Sequence, residues 1–392
     1  MATFQGEGRQ RVLLVTPFGQ GTGGIIAHAN SLVRELREQH LVDLEVIDSA
    51  QRYRASCDLS LPKRLLGGGC QALRLSKQIV LRTLRIKPQV IYLTSSASFG
   101  LLRDLLLTVM GRLLGAVVVV AFHFGRIPQL KAKRNWEWRL LLLTCCMANG
   151  VHVLDRRSKD ALASALPRKL IEQFCNGIDT AWIDSLLSGA SSKRLEAQGM
   201  HLVFVGMLLR DKGVVELVRA CSLIEARGLT LQMVGPVEPE MKAELCRLAG
   251  ARDGGGWLAF AGQLSREEVV KRVAAADIFV LPSYTEAFPN SVLEAMACSK
   301  PVISTRVGAI PDMLSIGTEE PAGICVPPRA VEPLRDAIAR LLTDERRRTA
   351  MGAAGRRKCE QEYSLSRLAR QWAALWTGEA ATDKEWKATR II

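Results

Sequence analysis

The stretch Ile278-Phe279-Val280-Leu281-Pro282-Ser283-Tyr284-Thr285-Glu286-Ala287-Phe288-Pro289-Asn290-Ser291-Val292-Leu293-Glu294-Ala295-Met296-Ala297 fixes the reading of the whole chain. Its first four apolar residues stop at a proline, which cannot donate to a sheet ladder, so a short buried strand is predicted over Ile278–Leu281. A helix is predicted over Ser291–Ala297, with Asn290 or Ser291 as its N-cap and Pro289 on the approach. A helix that starts beyond the carboxyl end of a strand offers unpaired backbone N–H groups and a positive dipole end, which together attract anions. Glu286 falls in the loop and Glu294 in the first helical turns. The two carboxylates can hold hydroxyls at opposite ends of one ligand, with a diphosphate between them.

The same alternation extends outward in both directions. Upstream in this half, strands are predicted at Leu202–Val205, Leu231–Val234 and Leu258–Ala261, and downstream at Pro301–Ser304, separated by helices at Val214–Ala226, Pro239–Leu248 and Arg266–Ala275. The first half repeats the pattern, with strands at Arg11–Thr16, Leu44–Ile47, Val90–Leu93, Ala116–Ala121 and Val151–Leu154 and helices at Ile25–Glu38 and Leu101–Leu113. Strand–helix alternation of this kind makes parallel sheets covered on both faces. The 392 residues are enough for two such cores. The turn signal Asn176-Gly177-Ile178-Asp179 and the small polar run Ser188–Lys193 place the boundary near residue 180. The expected organisation is an N-terminal domain over 1–180, a C-terminal domain over 181–370, and a helical tail over 371–392 (with Trp386) that packs back on the first domain. Both domains are expected to be Rossmann-like and doubly wound, facing each other across a deep cleft lined by the carboxyl ends of the strands.

Glu286 and Glu294 form a Glu-x7-Glu motif, followed by Pro301-Val302-Ile303-Ser304-Thr305 and by Gly308-Ala-Ile-Pro311-Asp312. With Gly206-Met207-Leu-Leu-Arg210-Asp-Lys212-Gly213, Ala276-Asp277-Ile278, Ala322-Gly323-Ile324-Cys-Val326-Pro327-Pro328 and Ala350-Met351-Gly352, this set resembles the retaining glycosyltransferases of family 4, the group 1 glycosyl transferases of GT-B fold. The resemblance covers roughly residues 200–375 and is thin before 180. It implies that Lys212 binds the donor diphosphate and stabilises the leaving group, and that Glu286 contacts donor-sugar hydroxyls. It further implies that Glu294 binds ribose hydroxyls, that the backbone of Phe288, Pro289 and Asn290 meets the sugar, and that Ser291, Val292 and Leu293 meet the phosphates. The chain contains no Asp-x-Asp, so no metal and no other cofactor is expected: the lysine and the helix dipole take the place of a cation. Two departures stand out. Met207 occupies a position where the family often has Arg, with Arg210 nearby as a substitute donor contact, and Ala287 replaces a frequent Gly.

In the first half, Pro17-Phe-Gly19-Gln-Gly21-Thr-Gly23-Gly24 separates a strand from a helix. The resemblance implies that Gly23 and Gly24 border the donor diphosphate and that Gly24 also meets the acceptor. It likewise makes His123, just past a strand, a catalytic and acceptor-side residue. Arg126 is offered as an acceptor contact on charge alone, and His28 is read as structural.

The +14 net charge is uneven: residues 1–180 carry 25 Lys/Arg against 13 Asp/Glu, net +12, and the rest 28 against 26, net +2. A basic first half points to an anionic partner, such as a membrane surface or a lipid-linked or glycan acceptor. Leucines and tryptophans, not alternating aromatics, interleave the basic runs Lys63–Lys87 and Arg126–Arg139, which argues against nucleic acid. Residues Leu130–Leu140 read as one basic amphipathic helix suited to a membrane interface. The opening residues MATFQGEGRQ lack the apolar core of an export signal, and the longest apolar run, Leu113–Phe122, is about half of the ~20 residues a span needs. A cytoplasmic protein, peripheral on the inner face of the plasma membrane, is expected. Ten cysteines without a CxxC pair read as reduced core residues. The sequence therefore reads as an enzyme that moves a sugar from a nucleotide-diphosphate donor, with UDP-sugars ahead of GDP-sugars on family frequency. The alternatives are a GT-B-like binding or scaffold protein without turnover, favoured by Met207, and a nicotinamide-dependent oxidoreductase, disfavoured because Gly19–Gly24 lacks GxGxxG spacing.

Overall fold

The computed structural model describes residues 9–19, 23–50, 61–95, 100–188, 199–226, 228–250 and 256–377; of residues 61–71 it describes the backbone alone. The loop read at Ser188–Lys193 (beyond Ser188), Gly21, the first eight residues and Trp386 lie outside the described residues. The chain forms two compact units, Met1–Gly177 with Leu365–Ile392, and Ile178–Ser364.

Unit 1 is built on six parallel strands: β1 (Arg11–Thr16), β2 (Asp43–Asp48), β3 (Val90–Ser95), β4 (Val117–Phe122), β5 (Gly150–Val153) and β6 (Ile171–Gln173), in spatial order β2-β1-β3-β4-β5-β6. The apolar strand runs serve two cores because successive side chains point to opposite faces. Leu13 and Val15 of β1 and Val118, Val120 and Phe122 of β4 enter one core. Val12, Leu14, Val119 and Ala121 enter the other. On the first face lie α2 (Leu61–Ile86), α3 (Gly100–Leu113) and α5 (Trp136–Met147), contributing Leu75, Ile79, Leu101, Leu107 and Leu141. On the second lie α1 (Gly24–Glu38), with Leu32 and Leu36, and α15 (Leu365–Thr377), with Leu368, Trp372 and Trp376. The helix α15 follows unit 2 in sequence yet belongs to unit 1. The crossover starts at Leu365, earlier than the boundary expected at 371, because Leu365 and Leu368 already pack in the second core.

The structure corrects the reading of Leu130–Leu140 as one helix. It is two: α4 (Ile127–Lys133) and α5, separated where Arg134 adopts φ 48 and the Asn135 side chain accepts the Trp138 N–H to cap α5. Trp138 and Glu137 are buried, so this segment is not a single solvent-facing amphipathic surface. The short strand β6 and the long helix α2 had no clear sequence signal. Cys145 is buried, as read for a core thiol, but its neighbour Cys146 is exposed.

Unit 2 contains α7 (Thr180–Ser188), β7 (Met200–Val205), α8 (Val214–Ser222), β8 (Leu229–Val234), α9 (Pro239–Ala249), β9 (Leu258–Gly262), α10 (Arg266–Ala275), β10 (Ile278–Leu281), α11 (Asn290–Ala297), β11 (Val302–Thr305), α12 (Ile310–Met313), β12 (Gly323–Val326), α13 (Val331–Thr343) and α14 (Glu345–Gln361). Its parallel sheet runs β12-β11-β10-β7-β8-β9. The order reverses between β7 and β10, and open α/β sheets bind ligands at the carboxyl ends of the strands flanking such a reversal. β7 leads to Lys212 and β10 leads to Glu286.

Unit 1 buries titratable groups beside α15. Tyr92 Oη lies 3.1 Å from His152 Nδ1, and the His152 ring stacks on Phe174 at 4.5 Å. Burial, with His123 nearby, pushes His152 down to about 3, and burial pushes His123 down to about 4. A histidine unfolds to a group of pKa ~6.5, so the unfolded chain takes up protons before the folded one does. Neutral burial therefore supports the fold above that value and fails as pH drops through the folded values. Wild-type stability should fall between pH 6.5 and 4 by on the order of 3 kcal/mol for each of the two histidines, lowering the thermal midpoint. His152→Gln should flatten that fall; equal slopes in the two proteins would refute the account.

Candidate functional site

Backbone contacts at the β7/β10 reversal hold the candidate site in unit 2. After β7 the chain passes Met207 into a 3-10 turn, Arg210–Lys212, closed by the Gly213 N–H donating to the Arg210 carbonyl at 2.9 Å. Gly213 has φ 71, and a Cβ there would lie 2.1 Å from the Pro282 carbonyl oxygen, so only glycine fits. The loop after β10 answers with the Tyr284 N–H donating to the Asp211 carbonyl at 2.7 Å. Gly308, beyond β11, has φ 53, and a Cβ on it would lie 2.1 Å from the Glu286 carbonyl oxygen. The Ala309 N–H donates to the Ala287 carbonyl at 2.8 Å. Three loops are thus locked together around Glu286.

Lys212 and Glu286, 74 residues apart in sequence, meet there: Nζ donates to Oε1 at 2.7 Å, and both side chains are mostly buried, at 24% and 13% exposure. Tyr284 Oη donates to Glu216 Oε1 at 2.6 Å, and burial together with that carboxylate pushes the phenol up to about 12, so it remains a donor. Four residues past Glu286 the helix α11 begins. The structure corrects its cap: Pro289 takes the N-cap position, with no side chain bonded to the first turn, and Asn290 is already helical. The Val292 and Leu293 N–H groups both donate to the Pro289 carbonyl, at 3.1 and 3.4 Å. Their side chains are in the core, as is Phe288, which meets Tyr363 edge-on at 5.4 Å. Ser291 therefore stands as the first-turn residue best suited to the anion contact, since two of the three implied phosphate amides are already engaged.

Glu294 is 7% exposed and accepts from Arg266 Nε at 3.2 Å. Burial raises its carboxyl above the usual range, and the Arg266 guanidinium opposes that shift. Arg266 in turn lies over the Trp182 ring at 4.6 Å. Nothing in the local sequence marked Arg266, Trp182 or Tyr284, because each reaches its partner through the fold. Arg210, the substitute for the cation absent at Met207, is turned to Glu244 at 2.5 Å and is largely exposed.

The remaining candidates lie on separate elements of unit 1. Gly23 precedes α1 and Gly24 opens it, both exposed, and Gly23 accepts the Ala27 N–H at 3.0 Å. His123, directly after β4, lines a small cavity with Thr16, Thr94, Tyr92, His28 and Trp372. Its depressed pKa keeps the imidazole neutral at physiological pH. His28 is buried near Trp372, in keeping with a structural role. Arg126 is paired with Glu137 at 2.9 Å, a partner that charge counting could not foresee. Among the described residues no group of three or more His, Cys, Asp or Glu could hold a metal, and no helix is long and apolar enough to cross a membrane.

Residues 192–358, almost all of unit 2, match the family model described as glycosyl transferases group 1. That stretch is similar to the group 1 glycosyl transferases. A stretch of 289 residues is 26% identical to the alpha-D-kanosaminyltransferase of Streptomyces kanamyceticus, covering 68% of this chain and 72% of that protein. Another of 212 residues is 32% identical to the alpha-maltose-1-phosphate synthase of Mycolicibacterium smegmatis, covering 50% of this chain and 54% of that protein, about half its length. Sucrose-phosphate synthase from Thermosynechococcus elongatus superposes with a TM-score of 0.71 at 20% identity, over 96% of this chain and 100% of that one. The fold is GT-B, and the similarity of unit 2 to the group 1 family supports the enzyme class, glycosyltransferase.

Gly308→Ala should destabilise the domain by roughly 3 kcal/mol, combining left-handed strain with a clash against backbone. Gly317→Ala, also at positive φ but with open space around it, should cost only about 1 kcal/mol. Denaturant unfolding of the two variants reports the difference, and similar costs would mean that the Glu286 loop yields freely.

Proposed function

We propose that this glycosyltransferase moves a sugar, with retention of anomeric configuration, from a nucleotide-diphosphate sugar to a glycan or lipid-linked acceptor. UDP-sugars are the first donors to test. The observation that carries the reading is the 2.7 Å contact of Lys212 with Glu286 at the reversal of the unit 2 sheet, four residues before α11. An ammonium has three N–H donors, so Lys212 can keep Glu286 and still offer hydrogen bonds to diphosphate oxygens. Fixed positive charge where a leaving diphosphate gains negative charge is the usual large term in such a reaction. The first turn of α11, around Ser291, adds its dipole to the same end of the ligand. This pairing supports catalysis without a divalent cation.

Glu286, tied to Lys212, is a weak nucleophile and well placed to accept hydrogen bonds from sugar hydroxyls. No glycosyl-enzyme is needed: the departing diphosphate takes the proton of the acceptor hydroxyl on the face it leaves, which preserves configuration. Glu294, oriented by Arg266, would accept ribose hydroxyls. In unit 1, Gly23 and Gly24 would meet the diphosphate by backbone, and neutral His123 would hydrogen-bond the donor sugar and the acceptor. Arg126 would reach an anionic acceptor group only by leaving Glu137.

Release of nucleoside diphosphate from a panel of sugar nucleotides identifies the donor. On that donor, Lys212→Ala should lower kcat about 10²–10³-fold while thermal stability holds. Turnover near wild type in that variant would remove Lys212 from the site. A chelator should leave the rate unchanged, and the anomeric proton coupling of the product should match that of the donor; inversion would rule out the same-face mechanism.

A further inference from the structure

The outer surface of α2, α3 and α5 is apolar where a protein usually exposes charge. Of the twelve exposed large apolar side chains among the described residues, eight lie on these three helices. On α3 they are Leu102, Leu106 and Leu113, at spacings of four and seven, which line one side of a helix. Leu102 is 62% exposed and Leu113 82%. The opposite side of α3, with Leu101, Leu107 and Gly111, is buried against the sheet. Leu73, Leu81 and Leu84 continue the surface on α2, and Trp136 and Leu143 on α5. All three helices pack on the same face of the unit 1 sheet, so their outward sides form one layer. Exposed apolar side chains concentrated in this way on one layer point to an interaction site.

Its charge is one-sided. The α2 sequence LPKRLLGGGCQALRLSKQIVLRTLRI contains six Lys/Arg and no Asp or Glu. The acids of the other two helices are both buried and engaged: Asp104 with Arg103 and Ser95, Glu137 with Arg126. Arg74, Lys77 and Arg85 are exposed among the leucines of α2, and Arg139 sits between Trp136 and Leu143 on α5. A docking surface for protein is depleted of lysine at its centre and gains little from leucine. Nucleic acid would meet the cations but gain nothing from the leucines. A layer of leucines interspersed with long cationic side chains suits an anionic bilayer, where the apolar tips enter the headgroup boundary and the cations meet phosphate.

We propose that the α2–α3–α5 face of unit 1 docks on a membrane rich in anionic phospholipid. It shares Trp136 and Arg139 with the segment Leu130–Leu140, whose Trp138 is buried, but most of it is the leucine layer of α2 and α3, and it does not depend on the identity of the donor.

Co-sedimentation of the full chain with vesicles of phosphatidylcholine alone, and with about 30 mol% phosphatidylglycerol, tests it. The wild type should partition onto the anionic vesicles, weaken by about tenfold in ~0.5 M NaCl, and stay in solution with the neutral ones. The combined variant Leu102→Ser, Leu106→Ser and Leu113→Ser should partition at least about tenfold less, with an unchanged circular dichroism melt. Leu113→Ser alone, at the most exposed position, should give a smaller loss in the same direction, which guards against misfolding of the triple variant. Arg74→Ser with Lys77→Ser and Arg85→Ser should remove most of the salt dependence. A wild type that ignores anionic vesicles, or a triple variant that binds like the wild type, overturns the proposal. Light scattering that shows a wild-type dimer made monomeric by the triple variant also overturns it, since the occupant would then be a second copy of the chain.

Discussion

Where three loops meet at the reversal of the unit 2 sheet, two positions have no room for a β-carbon. Gly213 faces the Pro282 carbonyl and Gly308 faces the Glu286 carbonyl. Their contacts fix the backbone of the Lys212 turn against the backbone of the Glu286 loop, so the ion pair between the two side chains has little freedom left to lose. A partly exposed Lys–Glu pair by itself contributes only ~1 kcal/mol or less. Here the backbone sets the geometry and the pair follows from it. The same packing aims the start of α11, because Glu286 is only three residues from its cap.

Much of this was legible in the sequence, for an identifiable reason. The strand β10 is uniformly apolar and the helix α11 is short and mostly apolar, with Pro282 and Pro289 marking the loop between them, and apart from the cap residue the local preferences there agree with the fold. The strand bounds at Arg11–Thr16 and Ile278–Leu281 came directly from β-branched runs ended by turn residues. What escaped the sequence was set at long range. Arg266 finds Glu294 across 28 residues, and Arg126 finds Glu137 across a helix break that Arg134 makes by adopting a left-handed conformation. The helix α2 was hidden by Gly67, Gly68 and Gly69 and by its many cations, which blur an apolar period. β6, with three residues, is too short to carry a pattern.

The two units also differ in how they spend their charges. In unit 2 the site cations find carboxylates: Lys212 with Glu286, Arg210 with Glu244, Arg266 with Glu294, and Arg356 with both Asp184 and Glu360. The near balance of 23 bases and 24 acids over residues 178–364 reflects this internal pairing. Unit 1 has 15 acids for 30 bases, and several of those acids are inside. Asp104, Glu137 and Asp155 are each below 9% exposed, so the surface of the unit is more basic than its composition indicates.

The return of α15 to unit 1 bears on the order in which the molecule can be assembled during synthesis. One face of the first sheet, with Leu14, Tyr92 and Val119, is covered by α1 and completed by Trp372 and Trp376 of α15. Those tryptophans leave the ribosome only after every residue of unit 2. Unit 2 is made of one continuous stretch, Ile178–Ser364, and can finish folding while its predecessor waits with part of an apolar face uncovered. The usual vectorial rule, in which the earlier domain matures first, is inverted here. The first half of the nascent chain depends on a helix translated near the end.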